Sequence, residues 1–171
     1  FKALSVHIGS QILSDKPFIK TLKILEKLLR KIPFKFEYID LGGGFGIKYE
    51  ENQKSIKLNK YSNLVKKFKL KHKCKIIFEP GRSIVGDTAV LVSKVQYIKR
   101  NLNKNFVIID AGMNDFMRPA LYGAKHRIIP LKKNKRKMDN VEFSGPICET
   151  SCKFTFYKKF QNLGENDLIA I

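Results

Sequence analysis

The sequence predicts an α/β segment followed by a β-rich segment, and three observations carry that expectation. Over the first half, short apolar runs alternate with amphipathic helical stretches, the pattern of parallel strands joined by right-handed crossovers. Each run breaks into a turn rich in glycine or polar residues, where buried parallel strands present functional groups. Beyond Gly86, strand signals follow one another without crossover helices, as in an antiparallel domain. The division is therefore expected near Gly86, with residues 1–86 on one side and 87–171 on the other.

Ala3 to Ser10 reads as a strand running into a turn, with His7 toward its carboxyl end and Ser10 placed to cap the next element. A helix fits Lys16 to Arg30, because Phe18, Leu22, Leu25, Leu28 and Leu29 fall on one face and lysines on the other. Pro33 marks its end. Phe36 to Leu41 is the second strand, breaking into Gly42-Gly43-Gly44-Phe45-Gly46. A second helix fits Lys60 to Leu70. Ile76-Ile77-Phe78 then predicts a third, buried strand, ending in Glu79-Pro80-Gly81-Arg82. Three such units are too few to close a barrel, so either a partial barrel or an open sheet accommodates them.

Thr88 to Ile98 predicts one long strand, Phe106 to Asp110 another, and Met117 to Tyr122 a short helix. His126 to Leu131 and Val141 to Phe143 continue as short strands, with the basic run Lys132 to Lys137 as a hairpin or loop tip between them. Phe1 already lies in an apolar run and Ile171 stops within another, so the chain is expected to be a fragment of a longer one.

Composition narrows the function classes. Hydrophobic residues at 43% and charged residues at 29% describe a soluble globular chain. No apolar run approaches the roughly 20 residues of a membrane span. The formal charge of +19 invites a nucleic-acid reading, but only six of the 34 basic residues are arginine, and the lysines spread over expected helix faces and loops. Cys74, Cys148 and Cys152 are odd in number and lack metal-site spacing, as do the three histidines, so neither a disulfide framework nor a metal site is expected.

The turns carry the chemistry. Gly42 to Gly46 fails the dinucleotide fingerprint, since the third glycine would fall on Ile47 or Tyr49, and no P-loop lysine follows. That leaves a cluster of bare amides suited to one phosphate group, or a plain flexible turn. Glu79 follows an apolar run, which puts a low-dielectric wall behind its carboxylate. Pro80 fixes the backbone, Gly81 admits close approach, and Arg82 offers a planar fork for a carboxylate or phosphate. The same four residues also describe a Pro-Gly turn with a surface ion pair. In a barrel, His7, the glycine cluster and Glu79 would face one mouth. An aromatic ring, a phosphate cradle and a carboxylate together suit a phosphorylated heteroaromatic cofactor whose ring nitrogen the carboxylate keeps protonated.

His7-Ile8-Gly9-Ser10-Gln11, the glycine cluster and Glu79-Pro80-Gly81-Arg82 resemble the alanine-racemase-like barrel family of pyridoxal-phosphate decarboxylases. The run Asp110 to Gly123 and Gly145-Pro146-Ile147-Cys148-Glu149-Thr150 resemble its branch acting on meso-2,6-diaminopimelate, the last step of bacterial lysine synthesis. The resemblance covers essentially the whole chain. It implies the C-terminal third of a pyridoxal-phosphate-binding (β/α)8 barrel over residues 1–86 and part of an antiparallel β-domain over 87–171.

The resemblance also implies roles. His7 stacks on the ring of pyridoxal 5'-phosphate; Ser10, Gly42, Gly43 and Gly44, helped by Gly81, hold its phosphate; Glu79 binds its pyridine nitrogen. Arg82, Arg118 and Tyr122 grip the carboxylates of the substrate, and Glu149 recognises its distal amino-acid end. Cys148 is the catalytic acid that returns a proton. A homodimer with shared active sites, a cytoplasmic setting, and no nucleic-acid or membrane partner are implied with it. The Schiff-base lysine belongs upstream of residue 1 and a phosphate-contacting tyrosine beyond Ile171, so the fragment alone is expected to be inactive. Cys152 stands where the family usually has an acidic residue. Two other readings remain: a sister decarboxylase of ornithine, arginine or carboxynorspermidine, and a non-catalytic basic module binding nucleic acid.

Overall fold

The computed structural model describes residues 1–50 and 52–171. The chain forms two compact units, Phe1–Ala89 and Val90–Ile171.

In the first unit, β1 (Ala3–Ser5), α1 (Lys16–Leu29), β2 (Tyr38–Asp40), α2 (Asn59–His72) and β3 (Lys75–Ile77) alternate, and a short α3 (Arg82–Val85) comes after them. The three strands form a parallel sheet in the order β1-β2-β3, with Leu4 beside Ile39 and Ile39 beside Ile76. Pro17 opens α1, where its missing N–H costs nothing. Phe18, Leu22 and Leu25 of α1 and Tyr61, Val65 and Phe68 of α2 recur every three or four residues, so both helices bury one stripe around Ile39, Leu41 and Phe45. The rings of Phe18 and Phe45 lie 4.7 Å apart at the centre of this core. The chain leaves α2 through Lys73 at φ 50°, a left-handed turn.

The third strand departs from the sequence reading. It was expected to be buried, yet Ile77 is 41% and Phe78 39% exposed, and Glu79 is exposed too. Within its sheet β3 is bonded to β2 alone, so one edge and much of its side-chain surface face outward. Among the described residues of this unit, no low-dielectric wall stands behind Glu79.

The second unit contains β4 (Val92–Arg100), β5 (Asn105–Ile109), α4 (Arg118–Tyr122), β6 (Ile129–Pro130), β7 (Lys137–Ser144), β8 (Lys153–Gln161) and β9 (Leu168–Ala170). They form a six-stranded sheet in the order β6-β9-β4-β5-β7-β8. The unit was expected to be antiparallel, but β5 and β7 run parallel, with Val107 beside Phe143. The intervening 110–136 is long enough to carry the chain back to the same end, which a hairpin turn is not. The remaining pairs are antiparallel. Val95, Val107, Ile109, Val141, Phe143 and Ile169 alternate inward from these strands to form the core.

Other element limits shift. Residues 88–91 lie outside β4, and only Ile129–Pro130 of the expected strand from His126 to Leu131 pairs. The basic run leads into β7 as a loop; β6 pairs with β9 and β7 with β8, so it closes no hairpin. The sequence reading missed β8, although Phe154, Phe156 and Phe160 fall at period-two positions there, interrupted by Lys158.

Candidate functional site

Three loops meet at the carboxyl ends of β1, β2 and β3, and the absence of glycine side chains is the feature that lets them meet. A Cβ on Gly42 would lie 2.5 Å from the Val6 carbonyl oxygen, and one on Gly43 would lie 2.0 Å from that of Glu79. A Cβ on Gly44 would lie 2.0 Å from the Gly9 carbonyl oxygen, and Gly44 also holds φ +90°. The cluster is therefore a packing junction, with each glycine taking a neighbouring backbone at closer than van der Waals range for a side chain.

Its amides are partly engaged. Gly42 N–H donates to Asp40 Oδ1 at 2.8 Å, in a turn that also has Ser5 Oγ donating to Asp40 Oδ2 at 3.0 Å. Gly43 N–H donates to His7 Nδ1 at 3.4 Å, an arrangement that makes Nδ1 the acceptor and leaves the proton of a neutral ring on Nε2. Ile12 N–H donates to Gly44 O and Gly46 N–H to Ile12 O, both at 3.0 Å, which zips the loop after β1 to the loop after β2. Glu79 N–H donates to Gly42 O at 2.9 Å and ties in the loop after β3.

His7, Ser10 and Glu79 are exposed around this junction. A Cβ on Gly81 would meet nothing within 4 Å. Arg82 is half-buried, with Nη1 donating to Gln11 Oε1 at 3.1 Å and the guanidinium 6.0 Å from the Tyr49 ring centroid. The junction thus fits a phosphorylated heteroaromatic group. It offers an imidazole ring held by Gly43, an exposed carboxylate on the residue whose backbone carbonyl abuts Gly43, and open backbone at Gly81, where a Cβ would meet nothing within 4 Å.

The second unit holds the other expected residues. Arg118 opens α4 after the turn 110–117, and Tyr122 lies one helical turn on, with the Arg118 guanidinium 5.7 Å from its ring centroid. Arg118 Nε also donates to His126 Nε2 at 3.4 Å. Phe116 packs edge-on against the same His126 ring at 4.6 Å.

Cys148 and Glu149 lie in the loop between β7 and β8, and both are exposed. Glu149 Oε1 accepts from Ser151 N–H and Ser151 Oγ, each at 3.2 Å. The loop is anchored by Cys152, which is buried and whose Sγ accepts from Met113 N–H at 3.4 Å. Cβ atoms on Gly145 and Gly112 would lie 2.6 Å from Cys152 Sγ and 3.1 Å from Ile147 Cγ1, so this loop sits tightly on the turn at 111–114. Asp110 frames that turn: its Oδ1 accepts from Ser93 Oγ at 2.6 Å and from Lys94 N–H at 2.8 Å. The Ser93 hydroxyl, and secondarily the Lys94 amide, hold the Asp110 carboxyl below its ordinary pKa.

Sequence reasoning passed over two residues that organise these loops. Asp40 is one, and its place two residues before a glycine is a recognisable Asx-turn signal. Gln11 is the other; it closes the motif His7-Ile8-Gly9-Ser10-Gln11, but nothing local shows what it bonds to.

A profile described as "Pyridoxal-dependent decarboxylase, C-terminal sheet domain" matches residues 13–171. A diaminopimelate decarboxylase of Aquifex aeolicus is 39% identical over 169 residues, which is 96% of this chain and 40% of that protein. One from Helicobacter pylori is 40% identical over 96% of this chain and 42% of its own length. Among solved structures, the Helicobacter pylori enzyme complexed with L-lysine superposes at a TM-score of 0.85 with 39% identity, covering 99% of this chain and 42% of that one. The enzyme from M. jannaschii in complex with L-lysine gives 0.87 at 35% identity, covering 97% and 40%. A lysine/ornithine decarboxylase of Vibrio vulnificus, at 20% identity and a TM-score of 0.81, shares the fold. The chain spans about two fifths of the length of the curated relatives it matches. No helix among the described residues is long and apolar enough to cross a membrane.

Proposed function

This chain belongs to the family of pyridoxal-dependent decarboxylases, and from that premise we propose that the full-length protein converts meso-2,6-diaminopimelate to L-lysine and CO2. The observation that carries the reading is the identity of 35–40% to diaminopimelate decarboxylases over nearly the whole chain. The sister lysine/ornithine enzymes share the fold at 20% identity only.

Pyridoxal phosphate, when bound, supplies a protonated pyridine ring that takes up the electron pair released as the Cα–carboxylate bond breaks. Glu79 would hold the proton on that ring nitrogen, and exposure suits it to a charged partner. His7 would offer its ring face, with the orientation fixed through Nδ1 by Gly43. Gly44 and Ser10, with Gly81, would contribute to the phosphate cradle; Gly42 and Gly43 would shape it through packing, since their amides already donate to Asp40 and His7.

Arg82 would take a substrate carboxylate, and Arg118 with Tyr122 another. Glu149 would accept hydrogen bonds from the distal ammonium. Cys148, whose thiol is exposed, would deliver the proton that replaces CO2. The reading extends to a homodimer with shared sites and to a cytoplasmic enzyme.

The test is direct. Full-length protein loaded with pyridoxal phosphate and given meso-diaminopimelate should release CO2 and yield lysine by chromatography. A cofactor-loaded protein that makes no lysine but decarboxylates ornithine or arginine would replace the substrate, and a protein that takes up no cofactor would overturn the reading.

A further inference from the structure

We propose that Gln11 is a positioning residue that holds Arg82 for a carboxylate ligand, joining the loops after β1, β2 and β3 through one side-chain amide. The proposal rests on the reading of Arg82 as a carboxylate-binding residue. The geometry is specific. Gln11 Oε1 accepts from Ile47 N–H at 3.3 Å and from Arg82 Nη1 at 3.1 Å, while Gln11 Nε2 donates to Ile47 O. The amide therefore pairs with the Ile47 peptide on both sides, as a strand neighbour would, and spends its second oxygen lone pair on the guanidinium.

This pairing fixes Gln11 before Arg82 is considered. Its backbone sits at φ 58°, and its Cα and carbonyl carbon would lie 3.2 and 3.0 Å from a Cβ on Gly46. The neighbouring Ile12 is bonded on both sides to Gly44 and Gly46. The side-chain oxygen is thus a fixed acceptor on an immobilised loop. A guanidinium anchored through Nη1 and packed over Tyr49 loses rotamer freedom before the ligand arrives, which lowers the entropic cost of binding a carboxylate. A neutral amide anchors without neutralising the cation, so Arg82 keeps its full attraction for an anion.

Two variants of the full-length protein test this. Gln11→Met keeps the volume and removes both polar atoms. Gln11→Gly removes the side chain at a backbone angle that glycine adopts freely, so it tests the same loss without straining the backbone. In either, KM for meso-diaminopimelate should rise about tenfold, the consequence of one lost hydrogen bond to a charged group. The kcat and the cofactor dissociation constant, read from visible absorbance, should stay within about twofold, because the glycine junction is held by other contacts.

The decisive arm repeats Gln11→Gly in an Arg82→Met background. If Gln11 acts through Arg82, KM there moves no further than about twofold. An equal, multiplying rise in both backgrounds, or an unchanged KM in the single variants, overturns the proposal. Should the wild type bind cofactor without turnover, the functional reading fails. The same cycle is then read by calorimetric titration of meso-diaminopimelate or L-lysine, where a Gln11 effect independent of Arg82, or no effect, sinks the proposal by itself.

Discussion

Gly43 lies against Glu79 so closely that an added Cβ would stand 2.0 Å from the Glu79 carbonyl oxygen. The contact joins the loops after β2 and β3 backbone to backbone, and neither backbone is the flexible end of a side chain. Gly43→Ala should therefore destabilise the protein by about 1–3 kcal/mol, as overpacking does. Gly164→Ala, whose nearest neighbour would be 3.8 Å away, should cost less than about 0.5 kcal/mol. Urea unfolding of the full-length variants compares them.

The three thiols should separate by reactivity. Cys148 is exposed, while Cys74 and Cys152 are buried, and burial pushes the Cys74 thiol up from its ordinary pKa. A brief iodoacetamide pulse near neutral pH, read by peptide mass spectrometry, should label Cys148 first. Labelling of Cys74 or Cys152 ahead of it would contradict the structure.

Ser93 is buried and serves two partners, donating to Asp110 Oδ1 and accepting from Ala111 N–H at 3.2 Å. Ser93→Ala leaves that amide unpaired and should cost about 1–3 kcal/mol. Because the folded Asp110 carboxyl lies below its ordinary pKa, its stabilising contribution is complete above about pH 4 and is lost as pH falls through the folded value. In Ser93→Ala, NMR titration should find the Asp110 carboxyl moved back up, and the acid end of the stability profile should flatten.

Tyr61 sets an alkaline limit. Burial pushes its phenol up to about 12, against about 10 in an unfolded chain. The neutral form is the one that folding favours, so the contribution is present below about pH 10 and is lost as pH climbs toward the folded value. Urea midpoints from about pH 10 upward should fall, and Tyr61→Phe should lessen the fall. Tyr157 is raised by burial in the same way, so some slope should remain.

Much of the first unit was legible because its signals are local. The stripe of Phe18, Leu22 and Leu25 announced α1 almost to the residue, and apolar runs before turns located all three strands. The residue types at strand ends likewise singled out His7, Glu79 and Arg82 as candidates. The role of the glycines was less legible: a run of glycines reads equally as a set of free amides or as a junction. Only the positions of Val6, Gly9 and Glu79, far away in sequence, show that it is a junction, with the amides of Gly42, Gly43 and Gly46 already engaged.

On its own, the amino-acid order specified where helices and strands alternate and which residue types stand at their ends, since periodicity and side-chain chemistry are properties of a few consecutive residues. The folded chain settled that β5 and β7 run parallel and that β3 has an outward edge. It also settled that Cys152 pins the Cys148 loop to Met113 and that Gln11 reaches Arg82. Each of these depends on pairing between segments tens of residues apart, where register is set by the packing of both partners and neither carries the information alone.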